Sequence, residues 1–280
     1  MRLILLTSIT MLAFAANSLL TRLAVDSGAA SAGGFAILRV AAGAAMLLAL
    51  ASLQGRGLRW TGAARFGGAL SLTLYMVGFS IAYLTLDAGL GALILFGVVQ
   101  VGMFTLSALQ GRKPGRRDLA GAVIAFGGLA WVVWPSGAAQ VEASGAVAMG
   151  LAGLGWAAYT LLGRSERDPL AGTAANFALA LPVTALAILA LDAPLDMTAR
   201  GAALAVLSGA VTSGLGYALW YALQPQLGAI RAAVVQLSVP VIALGLGAWW
   251  LGESLTPRLL LGGALVLGGI ALTLPIGRKR

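Results

Sequence analysis

Ten apolar runs, each close to 20 residues long, dominate the sequence: 3–22, 31–53, 64–86, 89–109, 118–135, 144–163, 171–191, 200–223, 228–251 and 257–275. A helix needs roughly 20 apolar residues to cross the hydrocarbon core of a bilayer. A helix also satisfies its own backbone polar groups there, which lipid cannot do. The pattern therefore predicts an all-α, polytopic membrane protein with ten transmembrane helices. Only 10% of the residues are charged and 60% are hydrophobic, whereas a soluble domain carries about 25% charged residues. Once ten spans are taken from 280 residues, no folded soluble domain fits in the remainder. Gly, Pro and charge punctuate the separators, as in Gln54-Gly55-Arg56-Gly57 and Arg164-Ser165-Glu166-Arg167-Asp168-Pro169. The shortest separators, 87–88 and 224–227, predict tight hairpins between helices 3 and 4 and between helices 8 and 9.

The chain repeats itself. Ala92–Val101 and Ala229–Leu237 both follow Leu-Gly and both run into Val-Val-Gln. At an offset of 138, Tyr75, Phe79 and Tyr83 fall opposite Ser213, Tyr217 and Tyr221. At 142, Phe14, Asn17 and Arg22 fall opposite Trp156, Tyr159 and Arg164; at 141, Gly121–Ala130 falls opposite Gly262–Ala271. The reading is two five-helix halves, 1–137 and 138–280, forming one membrane domain. Five is odd, so the second half enters the membrane inverted, and inverted repeats place a substrate site near the midplane between them. Arg2, an apolar run and small residues near Ala13–Ala16 look like a signal peptide, but the match of this run to helix 6 argues for a retained helix.

Lys and Arg are uneven across the two boundaries. One boundary holds thirteen: Arg2, Arg56, Arg59, Arg65, Arg112, Lys113, Arg116, Arg117, Arg164, Arg167, Arg278, Lys279 and Arg280. The other holds Arg22, Arg200 and Arg258. Basic residues collect in cytoplasmic loops, so both termini are expected in the cytoplasm of a bacterial-type inner membrane. The net charge of +9 is read the same way, with the lipid bilayer rather than nucleic acid as partner.

Cys and His are absent, which excludes disulfides, thiolate metal sites and His relays; no metal or cofactor is expected. All nine acids (Asp26, Asp87, Asp118, Glu142, Glu166, Asp168, Asp192, Asp196 and Glu253) lie at or near loops, where solvated and capping roles suffice. Proton-coupled pumps and carriers of lipophilic cations keep a buried acid, and this pattern has none. Two basic residues lie inside segments. Arg231, about three residues into helix 9, reads equally as snorkelling or interior. Arg39, about eight residues into helix 2, avoids the cost of lipid only by facing the interior, as a tie to a helix end or as a ligand for an anionic group such as an amino-acid carboxylate.

Polar and aromatic residues complete the candidate site. Tyr75, Phe79 and Tyr83 recur every four residues and share one helix face with Ser71; helix 8 carries Ser213, Tyr217 and Tyr221. Helix 1 adds Asn17, helix 6 adds Trp156 and Tyr159, and Gln100 and Gln236 are repeat-related amides. Helix–helix hydrogen bonding and interfacial aromatic belts explain Trp60, Trp131 and Trp134, yet fit mid-helix polar groups less well. An apolar pocket with a few placed polar groups suits a small amphipathic solute. Pro240 in helix 9 is a candidate kink beside Gln236 and Ser238.

Pro240-Val241-Ile242-Ala243-Leu244-Gly245-Leu246-Gly247-Ala248-Trp249-Trp250-Leu251-Gly252-Glu253-Ser254-Leu255, followed by Gly262 and Gly268-Gly269, resembles the repeat signature of EamA-type transporters in the drug/metabolite transporter superfamily. The resemblance implies a ten-helix carrier, commonly an exporter of amino acids or related metabolites, with YddG-like amino-acid exporters the nearest type. In the first half the signature departs: Gly102 stands at the Pro position and Arg112 at the Glu position. A cytoplasmic loop favours Arg there, so Glu253 reads as a helix-end structural residue. The expectation is a secondary transporter of small solutes with no enzymatic activity. A membrane assembly or partner protein without transport, or a lipid-modifying membrane enzyme, are the alternatives; the enzyme lacks a nucleophile, base or metal cluster.

Overall fold

The computed structural model describes residues 1–109, 115–134, 141–163 and 166–273, with side chains described for all of these except 103, 104, 106–109, 228–231, 233 and 234. Helices account for every regular element among them: α1 (Arg2–Asp26), α2 (Ala32–Leu53), α3 (Ala63–Ala82), α4 (Ala88–Leu109), α5 (Arg116–Val133), α6 (Ala143–Gly163), α7 (Pro169–Ala190), α8 (Ala199–Val206), α9 (Gly216–Gln236), α10 (Ser238–Leu246) and α11 (Pro257–Thr273). Two π-helical stretches, Leu207–Leu215 and Gly247–Leu251, join α8 to α9 and extend α10. Six helical stretches have the length and apolarity to cross a membrane, the last being the continuous Ala199–Leu227; Ala88–Gly102, Ser238–Leu251 and Pro257–Thr273 are shorter apolar pieces. The Arg231 side chain lies outside the described set, as does the whole of Arg112.

Helix starts follow local chemistry. Ser31 accepts a hydrogen bond from Gly34 N–H at the head of α2, Asp168 from Ala171 N–H at α7, and Thr198 from Gly201 N–H at α8. Each satisfies a donor that the first helical turn leaves unpaired, and Pro169 sits at the first turn of α7, where no N–H is missed. One expected boundary is not a break: α9 runs through 224–227 and contains Pro225. The break comes instead at Leu237, three residues before Pro240. Pro240 has no N–H to give the carbonyl of Gln236, one turn earlier.

Packing pairs α3 with α6, α2 with α7 and the Leu207–Leu215 stretch, α4 with α6 and α10, and α5 with α11. The α5–α11 pair is backbone-close: a Cβ on Gly128 would press on the Gly262 carbonyl and one on Gly269 on the backbone of Ala125. Small residues permit such approach where lipid supplies no hydrophobic drive between helices. Large apolar side chains such as Phe66, Leu119, Val123, Phe126, Leu186 and Trp249 are exposed on the outside, as a lipid-facing surface requires.

The bundle has two unlike ends. At the basic end the α2–α3 and α6–α7 connections meet: Arg56 pairs with Asp168 at 3.0 Å, and Arg65 with Glu166. At the opposite end Ala30 bridges to Met197, and Arg22 pairs with Asp26 at 3.1 Å and Asp87 at 3.6 Å.

Candidate solute site

Arg39 is fully buried in the middle of α2. Gly209 explains its position, because a Cβ on Gly209 would overlap the Arg39 carbonyl oxygen. The Leu207–Leu215 stretch therefore runs directly against α2. Its π-helical winding, a geometry frequent at functional sites, turns Ser208, Thr212 and Ser213 inward, where all three are buried. Arg39 Nε donates to Ser213 Oγ at 3.2 Å and one terminal nitrogen, Nη2, to the Tyr75 hydroxyl at 3.0 Å. Its guanidinium carbon stands 4.7 Å from the Phe79 ring centre and 5.3 Å from that of Tyr75, within cation–π range. The other terminal nitrogen, Nη1, is buried with no hydrogen-bond partner.

The surrounding groups form one network. Tyr217 donates to the Tyr75 hydroxyl at 3.2 Å, and Asn17 Nδ2 lies 3.5 Å from it. Asn17 Oδ1 accepts from Ser208 at 2.6 Å and Thr212 at 3.0 Å. Trp156 lies tilted 4.8 Å from Tyr217 and 5.0 Å from Tyr75, while Phe14 meets Tyr217 edge-on at 5.7 Å. These groups enclose a cavity of about 20 Å³, bordered by Phe14, Asn17, Ser18, Tyr75, Phe79 and Trp156 among others, which holds about one water. All nine acids are among the described residues, and none borders this cavity or pairs with Arg39.

Of the twelve sequence candidates, Asn17, Arg39, Tyr75, Phe79, Trp156, Ser213 and Tyr217 come together here. Tyr83 continues the stripe toward the opposite end, edge-on to Phe79 at 4.8 Å, with its hydroxyl 3.4 Å from the Ala88 carbonyl. Tyr159 and Tyr221 sit on the basic side and border a vestibule of about 570 Å³ with Arg59, Arg65, Glu166 and Asn176. Gln100 is half-buried on α4 and Gln236 is buried at the end of α9; neither hydrogen-bonds to the Arg39 cluster among the described residues.

Three contributors escaped the sequence reading. Ser208 looks like any small helix residue, and Phe177, 5.8 Å from Tyr217, like any core aromatic. Arg65 reads as a boundary charge by its place near the start of a run, yet it is buried. It donates to the carbonyls of Arg59 and Gly172, to Asn176 and to Glu166.

Polar contacts tie the opposite end together. Arg22 donates to the Tyr83 carbonyl at 3.0 Å. Glu253, from the turn after the second π-helical stretch, accepts from the N–H groups of Ala88 at 2.5 Å and Gly89 at 3.2 Å. This is a carboxylate on the N-terminus of α4, where the helix dipole favours it, and it agrees with the structural role read from the sequence. Burial pushes the Glu253 carboxyl above its ordinary range, with the Asp87 charge adding to it, against the pull of the two N–H groups and Arg22.

The EamA-like transporter family matches residues 143–274, the region that supplies Trp156, Ser213 and Tyr217. Over 275 residues the chain is 49% identical to the uncharacterized protein PA1977 of Pseudomonas aeruginosa, covering 98% of this chain and 94% of that one. Residues 143–274 thus form an EamA family domain. It is also 25% identical over 243 residues to the uncharacterized transporter YwfM of Bacillus subtilis, covering 85% of this chain and 82% of that one. A solved crystal structure shares the fold with a TM-score of 0.68 at 17% identity, covering 100% of this chain and 99% of the other. The EamA family domain, within the drug/metabolite transporter superfamily, and the six span-length apolar helices point to a multi-pass membrane transporter of small solutes.

Proposed function

We propose that this EamA-like chain is a secondary carrier of the bacterial inner membrane, with both termini in the cytoplasm. In this reading it exports small amphipathic metabolites that carry a carboxylate, amino acids among them, by alternating access between two inverted halves, 1–137 and 138–280. The observation that carries the reading is Arg39: a buried guanidinium with an unpartnered nitrogen beside an aromatic-walled cavity. Arg presents a planar fork matched to a carboxylate. The aromatic rings supply the apolar walls an amphipathic solute needs.

The two ends support the direction of access. The vestibule opens at the end rich in Lys and Arg, assigned to the cytoplasm by loop charge. The opposite end is sealed by Arg22, Tyr83 and Glu253. Export then needs the vestibule side to close over the solute and the Glu253–α4 contact to part.

Flux from proteoliposomes tests this. The wild-type chain should move a radiolabelled aromatic amino acid or carboxylate, Arg39→Lys should move it poorly, and Arg39→Ala should fall to background at matched stability. Normal flux in Arg39→Ala removes the ligand role, and a chain that moves no solute removes the carrier reading.

A further inference from the structure

The charge inventory of the centre goes further than the identity of one ligand. Arg39 brings a positive charge into a fully buried position, and its partners are hydroxyls and ring faces, none of them ionised acids. The nine acids are accounted for elsewhere: four in ion pairs with Arg22, Arg56 and Arg65, Glu253 on the N-terminus of α4, and Asp118, Glu142, Asp192 and Asp196 at helix ends and turns. The protein therefore leaves the charge of Arg39 uncompensated, and one bound carboxylate makes the site neutral. An ammonium on the same solute would enter next to the guanidinium. Of the rings bordering the cavity, Tyr75 and Phe79 are already engaged by Arg39, and the others, Phe14, Phe96, Trp156 and Tyr217, bring no ionised acid to offset a second positive charge.

We infer that the preferred solute is a net anion, an amphipathic monocarboxylate without a charged amine, and that the membrane potential alone expels it, with no coupling ion. The inference rests on the carboxylate reading above and narrows it. Arg39 stays near the centre while access alternates, so the charge that crosses the membrane is that of the solute. An inside-negative potential drives an anion outward, and the chain has no His, and no acid borders the cavity, to carry a proton the other way. One elementary charge moving through 100 mV sustains a concentration ratio of about 50-fold at equilibrium. A zwitterion gains nothing from the potential.

The test uses the full-length chain in proteoliposomes loaded with 3-phenylpropanoate, L-phenylalanine or 2-phenylethylamine, with a potassium gradient and an ionophore setting a lumen-negative potential. Expected is 3-phenylpropanoate efflux that rises with the potential, persists when the pH gradient is collapsed, and exceeds phenylalanine efflux at least tenfold; the amine should not move. Efflux indifferent to the potential, efflux that needs a pH gradient, or phenylalanine moving as fast as 3-phenylpropanoate overturns the inference. In those cases loss of flux in Arg39→Gln leaves the carboxylate site standing. Absence of flux for every probe overturns both. The decisive arms use the unaltered protein, so they hold even where Arg39→Gln cannot be recovered folded.

Discussion

Two buried arginines in this bundle are treated in opposite ways. Arg65 has every nitrogen matched: Glu166 at one terminal nitrogen, carbonyls and Asn176 at the rest. Arg39, more deeply buried, has two hydroxyls, two ring faces and one nitrogen with nothing. Removing a charge from water costs several kcal/mol unless partners replace the lost hydration. Arg65 is thus a finished structural tie between α3 and the α6–α7 connection. Arg39 is unfinished, and an anionic solute would finish it.

Substitutions sharpen the contrast. The largest effect on the fold should come from Arg65→Ala, which strands Glu166: a loss of about 2–4 kcal/mol, read as a lower melting temperature in detergent. A chain as stable as wild type would show that Arg65 is not the tie. Arg39→Ala should do the reverse. It removes an unmatched charge and leaves the melting temperature near wild type, while solute affinity falls roughly 10- to 100-fold with the lost charge-assisted pair. A collapse of stability in Arg39→Ala, with affinity unchanged in folded material, would erase the distinction.

At the sealed end the expected effects are smaller. Glu253→Ala uncovers the first N–H groups of α4, at a cost of about 1 kcal/mol, and should raise the reactivity of a cysteine placed at Tyr83. Because burial leaves the carboxyl of Glu253 raised in the sealed state, its charged form is disfavoured there. Acid should therefore favour the seal as pH falls through the raised value, and Glu253→Gln should seal at least as well as wild type. Cysteine labelling that increases at low pH would contradict this sign. The smallest effect belongs to the half-exposed Arg56–Asp168 pair. Burial opposes ionisation of Asp168, but Arg56 and the Ala171 N–H outweigh it and hold the carboxyl below its usual range. The contribution is present above that range and lost as pH falls through the lowered value. Arg56→Ala should shift stability by only a few tenths of a kcal/mol, checked by the same melting assay.

The sequence made the bundle legible because apolar run length is a local property, and it made Arg39 legible because a charge deep in such a run is conspicuous. Tyr75, Phe79 and Tyr217 were visible through four-residue spacing and repeat position. Arg65 was not, because its partners other than Arg59 lie 101 to 111 residues away and its place near a loop imitates a solvated charge. Ser208 was hidden because the π-helical winding that turns it toward Asn17 follows from the tight approach of Gly209 to α2, a tertiary event. The uninterrupted helix through Pro225 was hidden for a similar reason, since a proline in a short separator reads as a stop.

Calorimetric titration of an aromatic carboxylate into the wild-type chain and Arg39→Gln, both in nanodiscs and matched in melting temperature, tests the central claim most directly. The account predicts saturable binding to the wild type and an affinity at least tenfold weaker in Arg39→Gln; equal affinities would contradict it.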